Sequence, residues 1–273
     1  MKKVSIFIPY KKQGDGEELR FVLRSIEKNC KFDYEILLVG DCPDWIEKEM
    51  VTHINPHIPA TAEFPKAWNV IEKLKFVLEN HNIDKLLLVY DDTIFLKGVD
   101  YKDINKVIAL AQLPTSAAEL DGTSSEKWKE IMQNTIKALK RNKLPMLNFE
   151  THLPRLFDAK KLSELLAHFG FKKRPYMFST LYFNWVKPNG KPVILAELPD
   201  QKLKAGIYFD GDFEKYSPVL EDYTFLNWAE KQWSQELENV LFGLFPEPSV
   251  FEIPATIPDN TPDETPDTTS DIT

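Results

Sequence analysis

The stretch from Lys85 to Lys97 constrains this chain most. Leu86, Leu87, Leu88 and Val89 form a short unbroken apolar run, which predicts a strand buried on both faces of a mixed or parallel sheet. Tyr90, Asp91, Asp92 and Thr93 follow at once, then Ile94, Phe95 and Leu96. Two adjacent carboxylates between apolar segments are costly unless positive charge compensates them. Open α/β sheets place their ligands at the carboxyl ends of strands. A divalent cation carrying a diphosphate satisfies both conditions, because Mg²⁺ and Mn²⁺ take one or two carboxylates together with phosphate oxygens. The alternative is a strand that ends in a solvated Asp-Asp turn.

The residues before this stretch read as repeated α/β units. Val4 to Ile8, stopped by Pro9 and Tyr10, predicts a first buried strand, and Lys11 to Gly16 a polar loop. From Glu17 the period becomes helical, with Leu19, Val22, Leu23 and Ile26 on one face and Arg20 and Arg24 on the other. Tyr34 to Gly40 predicts a second strand, closed by a turn over Asp41 to Asp44. This βαβ order opens a Rossmann-like sheet. Asp41 then stands at a strand's carboxyl end, where a nucleotide's base or ribose is commonly read; the alternative is a plain Asp-x-Pro turn cap. Trp45 to Met50 reads as a short helical stretch and His53 to Pro65 as a loop crossing the ligand side. Lys66 to Leu78 predicts an amphipathic helix with Trp68, Ile71, Leu74, Val77 and Leu78 inward.

Beyond Lys97, Tyr101–Leu113 and Ser124–Arg141 read as helices, separated by a flexible loop over Glu119 to Ser125 with a capping Ser or Thr. Lys137, Lys140, Arg141 and Lys143 form a basic cluster that suits either phosphates or a solvated helix end. Glu150, His152 and Arg155 fall within one largely apolar stretch. They offer a base, a metal ligand or acid, and a phosphate-binding fork; a structural histidine is the alternative for His152. A helix over Asp158–Phe169 follows, then a strand over Ser179–Trp185 and short strands over Val193–Leu198 and Gly206–Phe209. Asp210-Gly-Asp212 reads as a turn, and Tyr223–Phe242 as a final helix packed on the domain or on a partner. From Pro246 the chain turns to Pro, Thr and Asp with little to bury, and a disordered tail is expected over 246–273.

Composition closes off other classes. The 273 residues are 43% hydrophobic, enough for one large domain with an appendage. A net charge of -8 argues against gripping nucleic acid through bulk charge. Two cysteines, Cys30 and Cys42, make neither a disulfide framework nor a Cys-rich zinc site. No apolar span approaches membrane length, so a cytoplasmic protein without a transmembrane segment is expected.

The order Val4-Ser-Ile-Phe-Ile-Pro9, Leu23-Arg-Ser-Ile26, Glu35-Ile-Leu-Leu-Val-Gly-Asp41 and Tyr90-Asp-Asp92 resembles GT-A glycosyltransferases over about residues 2 to 97. That resemblance implies an α/β, GT-A or Rossmann-like fold with a mixed central sheet flanked by helices. Residues 1–100 would form its nucleotide-binding half and 101–245 its acceptor and catalytic half. Pro9, Tyr10, Lys11 and Asp41 would line the nucleotide pocket, and Asp91 and Asp92 would hold Mn²⁺ or Mg²⁺ on the diphosphate of a nucleotide-diphosphate sugar. Under this reading Glu150 is the candidate base for the acceptor hydroxyl, with His152 as rival base or further metal ligand, and Arg155 adds phosphate contacts. The acceptor stays open among a glycan, a lipid-linked sugar, a protein and a modified nucleic acid base.

A second, more local similarity is to the Stealth family of sugar-1-phosphate transferases. It rests on Glu18 to Glu27, Asp41-Cys-Pro-Asp-Trp45, Tyr90 to Leu96 and Thr151-His-Leu-Pro-Arg155. Tyr90 stands where that family carries Asn, and its opening Tyr-Thr-Trp-Val-Asp-Gly pattern does not occur in this sequence. In that reading His152 matters more than Glu150. The remaining alternatives are a non-catalytic sugar- or nucleotide-binding protein and a partner-binding protein that associates through Trp228 or Trp233.

Overall fold

The structure, a computed structural model, describes residues 3–12, 16–58, 65–114, 125–171, 174–186, 191–197 and 202–254. In chain order the first half holds β1 (Val4–Tyr10), α1 (Glu17–Asn29), β2 (Tyr34–Gly40), β3 (Thr52–Ile54), α2 (Pro65–Asn80), β4 (Lys85–Leu88) and β5 (Thr93–Phe95). There follow α3 (Tyr101–Ile104), β6 (Ile108–Ala109), β7 (Ala111–Gln112), α4 (Glu126–Arg141), β8 (Leu147–Asn148), β9 (Arg155–Asp158), α5 (Ala159–His168) and α6 (Phe178–Trp185). The chain continues through β10 (Val193–Ile194), β11 (Lys204–Ile207), α7 (Asp212–Tyr216), β12 (Phe225–Trp228) and α8 (Gln235–Leu244).

Among the described residues the central sheet has the order β3-β2-β1-β4-β9, parallel throughout except for β9, which runs antiparallel beside β4. Strand alternation divides its side chains between two cores. Ile6, Ile8, Leu38, Leu87 and Val89 pack with α1 and the second sheet. Phe7, Leu37, Val39, Leu86 and Leu88 pack with α2, α4, α5 and α6. The apolar runs are unbroken because both faces are covered. The fold is therefore α/β, a mixed central sheet flanked by helices.

A second sheet, β11-β12-β5, lies beyond α1. Helix α1 is fastened to it by polar groups: the Ser25 hydroxyl accepts from the Phe95 amide at 3.1 Å, and the Asn29 amide donates to the Phe95 carbonyl. The Leu-Arg-Ser pattern thus has a structural use, satisfying the exposed edge of a short strand.

Several expected elements differ. Tyr101–Leu113 is one helical turn, capped by Asp100 through a capping box, followed by two short strands. Ser179–Trp185 belongs to a helix, α6, seven of whose eight residues are buried. Tyr223–Phe242 splits into the central strand of the second sheet and part of α8. Such errors share a cause: a short apolar run covered on every side looks the same as helix or strand. Trp45–Met50, read as a helical stretch, forms turns, and Thr52–Ile54 adds an edge strand to the sheet at the start of what read as a loop. Residues 119–124 of the expected loop lie outside the described residues.

The expected tail begins too early. Pro246 to Pro254 folds back over α1, with Phe251 and Glu252 buried and a bridge between Ile46 and Glu252. Arg24, expected on a solvent face, is 7% exposed because Glu252 meets it there. Residues 255–273 lie outside the described residues.

Candidate active site

The acidic pair occupies the corners of a tight turn. The Thr93 amide closes on the Tyr90 carbonyl at 3.1 Å, which puts Asp91 and Asp92 between β4 of the central sheet and β5 of the second. Asn227 on β12, fully buried, braces the turn by donating to the Asp92 carbonyl and the Thr93 hydroxyl at 3.3 and 2.7 Å. Sequence reasoning missed Asn227 because its strand read as helix.

The two carboxylates face different neighbourhoods. Asp91 is raised to about 7, first by loss of water, then by Asp92 and Glu18, with Lys73 pulling the other way. Asp92 is raised to about 6 by loss of water, against the Thr93 hydroxyl, backbone, Lys204 and Arg155. Asp91 thus belongs to the side of β1, β2 and α2, and Asp92 to the side of β9 and β11.

On the Asp91 side, the ends of β1 and β2 meet under Lys73. This lysine is buried on α2, and its ammonium donates to the Tyr10 carbonyl at 2.9 Å. Burial lowers its pKa, opposed by Asp41 and Asp91 and assisted by Lys11. Gly40, at φ 126, leaves the space: a Cβ there would meet the Tyr10 carbonyl and the Lys73 ammonium. Asp41 is exposed and accepts from the Lys12 amide at 2.8 Å. Lys11 is exposed beside it, while Pro9 and the Tyr10 side chain are buried. Tyr10 thus reaches this edge through its backbone. Lys73 was not singled out, although a cation in register with Val70 and Val77 on a buried helix face was the available signal.

On the Asp92 side, Glu150, His152 and Arg155 come together with Lys204 and Tyr208. Arg155 is 6% exposed and donates to Glu150 at 2.8 Å. Burial opposes its charge, but Glu150 and Tyr90 raise its pKa overall. Its Nε lies buried with no hydrogen-bond partner among the described residues. Glu150 also accepts from the Thr180 amide at 3.2 Å, at the N-terminus of α6. Glu150 is therefore spoken for on both oxygens.

His152 differs. It is exposed, holds a left-handed backbone at φ 56, and its ring lies 5.8 Å from that of Tyr208. Protein crowding about the ring, then Lys204 and Arg155, lower its pKa to about 4. Since the residue as a whole still meets solvent, the two cations are the sturdier cause. The imidazole is neutral at pH 7, with an unprotonated nitrogen, while the same surroundings disfavour its protonated form. Lys204 donates to the Thr151 carbonyl at 2.8 Å and the Tyr208 hydroxyl at 3.1 Å. Burial lowers its pKa to about 8, against the pull of Asp92.

No group of three or more His, Cys, Asp or Glu side chains gathers as a metal site among the described residues. His152 is accordingly not brought into one with the acidic pair. The basic residues Lys137, Lys140, Arg141 and Lys143 are exposed around the C-terminal end of α4. A cavity of about 330 Å³ opens behind the Thr151–Arg155 loop, lined by Ile104, Ile108, Leu153 and Phe225 among others; neither aspartate lines it. Trp228 is buried against Trp233, which is half-buried and itself packs on Phe21. No helix among the described residues is long and apolar enough to cross a membrane.

No protein-family model and no curated sequence matches the chain. Among solved structures it is similar to the WbbM bifunctional glycosyltransferase in its apo form, with a TM-score of 0.53 and 13% identity over 90% of this chain. The chain spans about half the length of that protein, 50% of it. A glycosyltransferase involved in glycosylation of the major capsid of PBCV-1 aligns over 87% of this chain and 97% of its own, at 11% identity and a TM-score of 0.38. The fold is like that of the WbbM glycosyltransferase.

Proposed function

We propose that the chain is a GT-A-type glycosyltransferase that moves a sugar from a nucleotide-diphosphate sugar to an acceptor hydroxyl, with Mn²⁺ or Mg²⁺ at Asp91 and Asp92. The observation that carries this reading is the pair of adjacent carboxylates in the tight turn after β4, at the carboxyl end of the parallel strands, where burial raises the pKa of both. Raised values mark carboxylates short of positive charge, and a divalent cation supplies it. Two carboxylates alone suit Mg²⁺ or Mn²⁺, whose remaining positions go to phosphate oxygens and water. When bound, the ion would act as a Lewis acid toward the charge developing on the departing diphosphate.

The chain's own residues supply the rest. Lys73 offers a second, fixed positive charge over the ends of β1 and β2, while Asp41 and Lys11 border the place for base and ribose. Arg155, buried beside Asp92, adds a positive charge near the place for the diphosphate. His152 is the candidate base in place of Glu150, whose oxygens are engaged by Arg155 and α6. As the acceptor oxygen bonds to the anomeric carbon, its proton passes to the imidazole, and the anomeric bond to the nucleoside diphosphate breaks. The test is titration of nucleoside diphosphates and their sugars into the full chain with and without Mn²⁺. Metal-dependent binding that Asp92→Ala abolishes supports the reading; equal binding by that variant overturns it.

The same freedom of His152 favours a second reading, Stealth-like transfer of a hexose 1-phosphate. The product separates the two: glycosyl transfer releases a nucleoside diphosphate, and phosphosugar transfer a nucleoside monophosphate.

A further inference from the structure

An amide is buried in the second sheet where its neighbours along the strand are apolar or aromatic. Asn227 stands on β12 between Leu226 and Trp228, fully buried, and its Oδ1 has no hydrogen-bond partner among the described residues. A buried polar atom left unpaired costs stability, and an apolar side chain of similar size would avoid that cost. The amide is therefore kept for what its nitrogen does. Nδ2 donates to the Asp92 carbonyl at 3.3 Å and to the Thr93 hydroxyl at 2.7 Å, both in the acidic turn.

These two bonds decide where the hydroxyl proton goes. The Asp92 carbonyl can only accept, so the atom of Asn227 facing it is the nitrogen and not Oδ1. The same nitrogen gives its second proton to Thr93 Oγ1, which turns the hydroxyl's own proton away from Asn227. Asp92 Oδ1, 3.3 Å from that hydroxyl, accepts it. The backbone holds the three residues together: Thr93 faces Asn227 in the antiparallel register of β5 and β12, and its amide closes the turn on Tyr90. Among the influences that favour the ionised form of Asp92, this hydroxyl is the largest.

We propose that Asn227 and Thr93 are positioning residues that make Asp92 a one-oxygen ligand: the amide aims the hydroxyl, the hydroxyl holds Oδ1, and Oδ2 is left to the cation. This rests on the reading of Asp91 and Asp92 as a cation site. A carboxylate held by one oxygen resists closing on an ion with both. Ca²⁺ takes bidentate carboxylates into a large, flexible shell, whereas Mg²⁺ and Mn²⁺ keep a compact octahedral one. The pair therefore sets a preference for the smaller ions over Ca²⁺. Neither residue touches the ion; each acts through Asp92.

The experiment titrates the full chain with Mn²⁺ and with Ca²⁺, each alone and with uridine, guanosine, cytidine or thymidine diphosphate. Free Mn²⁺ is followed by electron paramagnetic resonance and both ions by calorimetry. Thr93→Val keeps the shape of the side chain and removes the hydroxyl, and it is expected to weaken Mn²⁺ binding about tenfold. Ca²⁺ binding should change less, so the preference for Mn²⁺ narrows. Thr93→Ser, which keeps the hydroxyl, should retain the affinity of the unaltered chain, and Asn227→Ala should weaken Mn²⁺ as Thr93→Val does. Thermal transitions without metal establish that each variant is folded. Undiminished Mn²⁺ affinity in Thr93→Val and Asn227→Ala overturns the inference while the cation site stands, and confines the amide to bracing the turn. Failure of the unaltered chain to bind Mn²⁺ under every condition overturns the cation site itself, and the inference with it.

Discussion

The guanidinium of Arg24 and the carboxylate of Glu252 lie 228 positions apart in sequence and meet through two hydrogen bonds, Nε to Oε1 at 2.7 Å and Nη2 to Oε2 at 2.8 Å. Both side chains are buried, and Arg20 adds a further bond to the same carboxylate. This pair fastens the Pro246–Pro254 segment across α1. It also turns a helix position that reads as solvated into an anchor.

Glu252→Ala is expected to destabilise the chain by about 3–5 kcal/mol, because it leaves a buried guanidinium unpaired. Although burial opposes ionisation of Glu252, the bonds from Arg24, the Ser249 backbone and Arg20 bring its pKa down from 4.5 to about 2. Its contribution is present above about pH 4.5 and fades as pH falls toward 2. Urea unfolding of the two proteins at pH 7 and in acid checks this: their difference should shrink with acidification.

Asp91 and Asp92 act in the opposite sense. Their folded values lie above the ordinary 3.8, so the folded state binds their protons more tightly. The stability they contribute is full below about pH 3.8 and is lost as pH rises through about 6 to 7. Asp91→Asn is therefore expected to stabilise the ligand-free chain at pH 8 by about 1 kcal/mol, or roughly 2–4 °C in Tm. The gain should shrink at pH 5. Thermal scans across this range read the difference directly.

Glu150 and His152 should separate by kind of damage. Glu150→Gln breaks a buried pair with Arg155 and is expected to lower stability by about 3 kcal/mol. His152→Asn keeps a residue that tolerates the left-handed backbone, and stability should stay within about 0.5 kcal/mol. Transfer by His152→Asn should fall by on the order of 10²-fold. Loss of rate in the Glu150 variant without loss of stability would return the proton-accepting role to that carboxylate.

Lys73→Met is expected to weaken nucleoside diphosphate binding about tenfold, the size of one lost charge-assisted hydrogen bond. Isothermal titration calorimetry with Mn²⁺ present measures it. An unchanged Kd would confine Lys73 to its bond with the Tyr10 carbonyl.

The core of the site was legible from local pattern. The run Leu86–Val89 read as a strand covered on both faces, and β4 is one, with Asp91 and Asp92 in the turn that follows it. Helices α1, α2, α4 and α5 announced themselves by period, and α4 also by a capping Ser or Thr, which is Ser125; Asp158, read as the first residue of α5, is its cap. What failed were elements wrapped on all sides, such as α6 and β12, where burial removes the polar face that reveals the period.

Residue order alone therefore determined the first α/β units and the placing of two carboxylates at a strand's carboxyl end, because apolar period and turn chemistry act over a few neighbouring positions. Which charges face those carboxylates was decided only by the tertiary structure. Lys73 reaches them from α2, Lys204 from β11 and Arg155 from β9, the antiparallel strand of the central sheet, while Asn227 braces their turn from β12. Their meeting depends on strand order and crossover, and no short-range periodicity encodes that order.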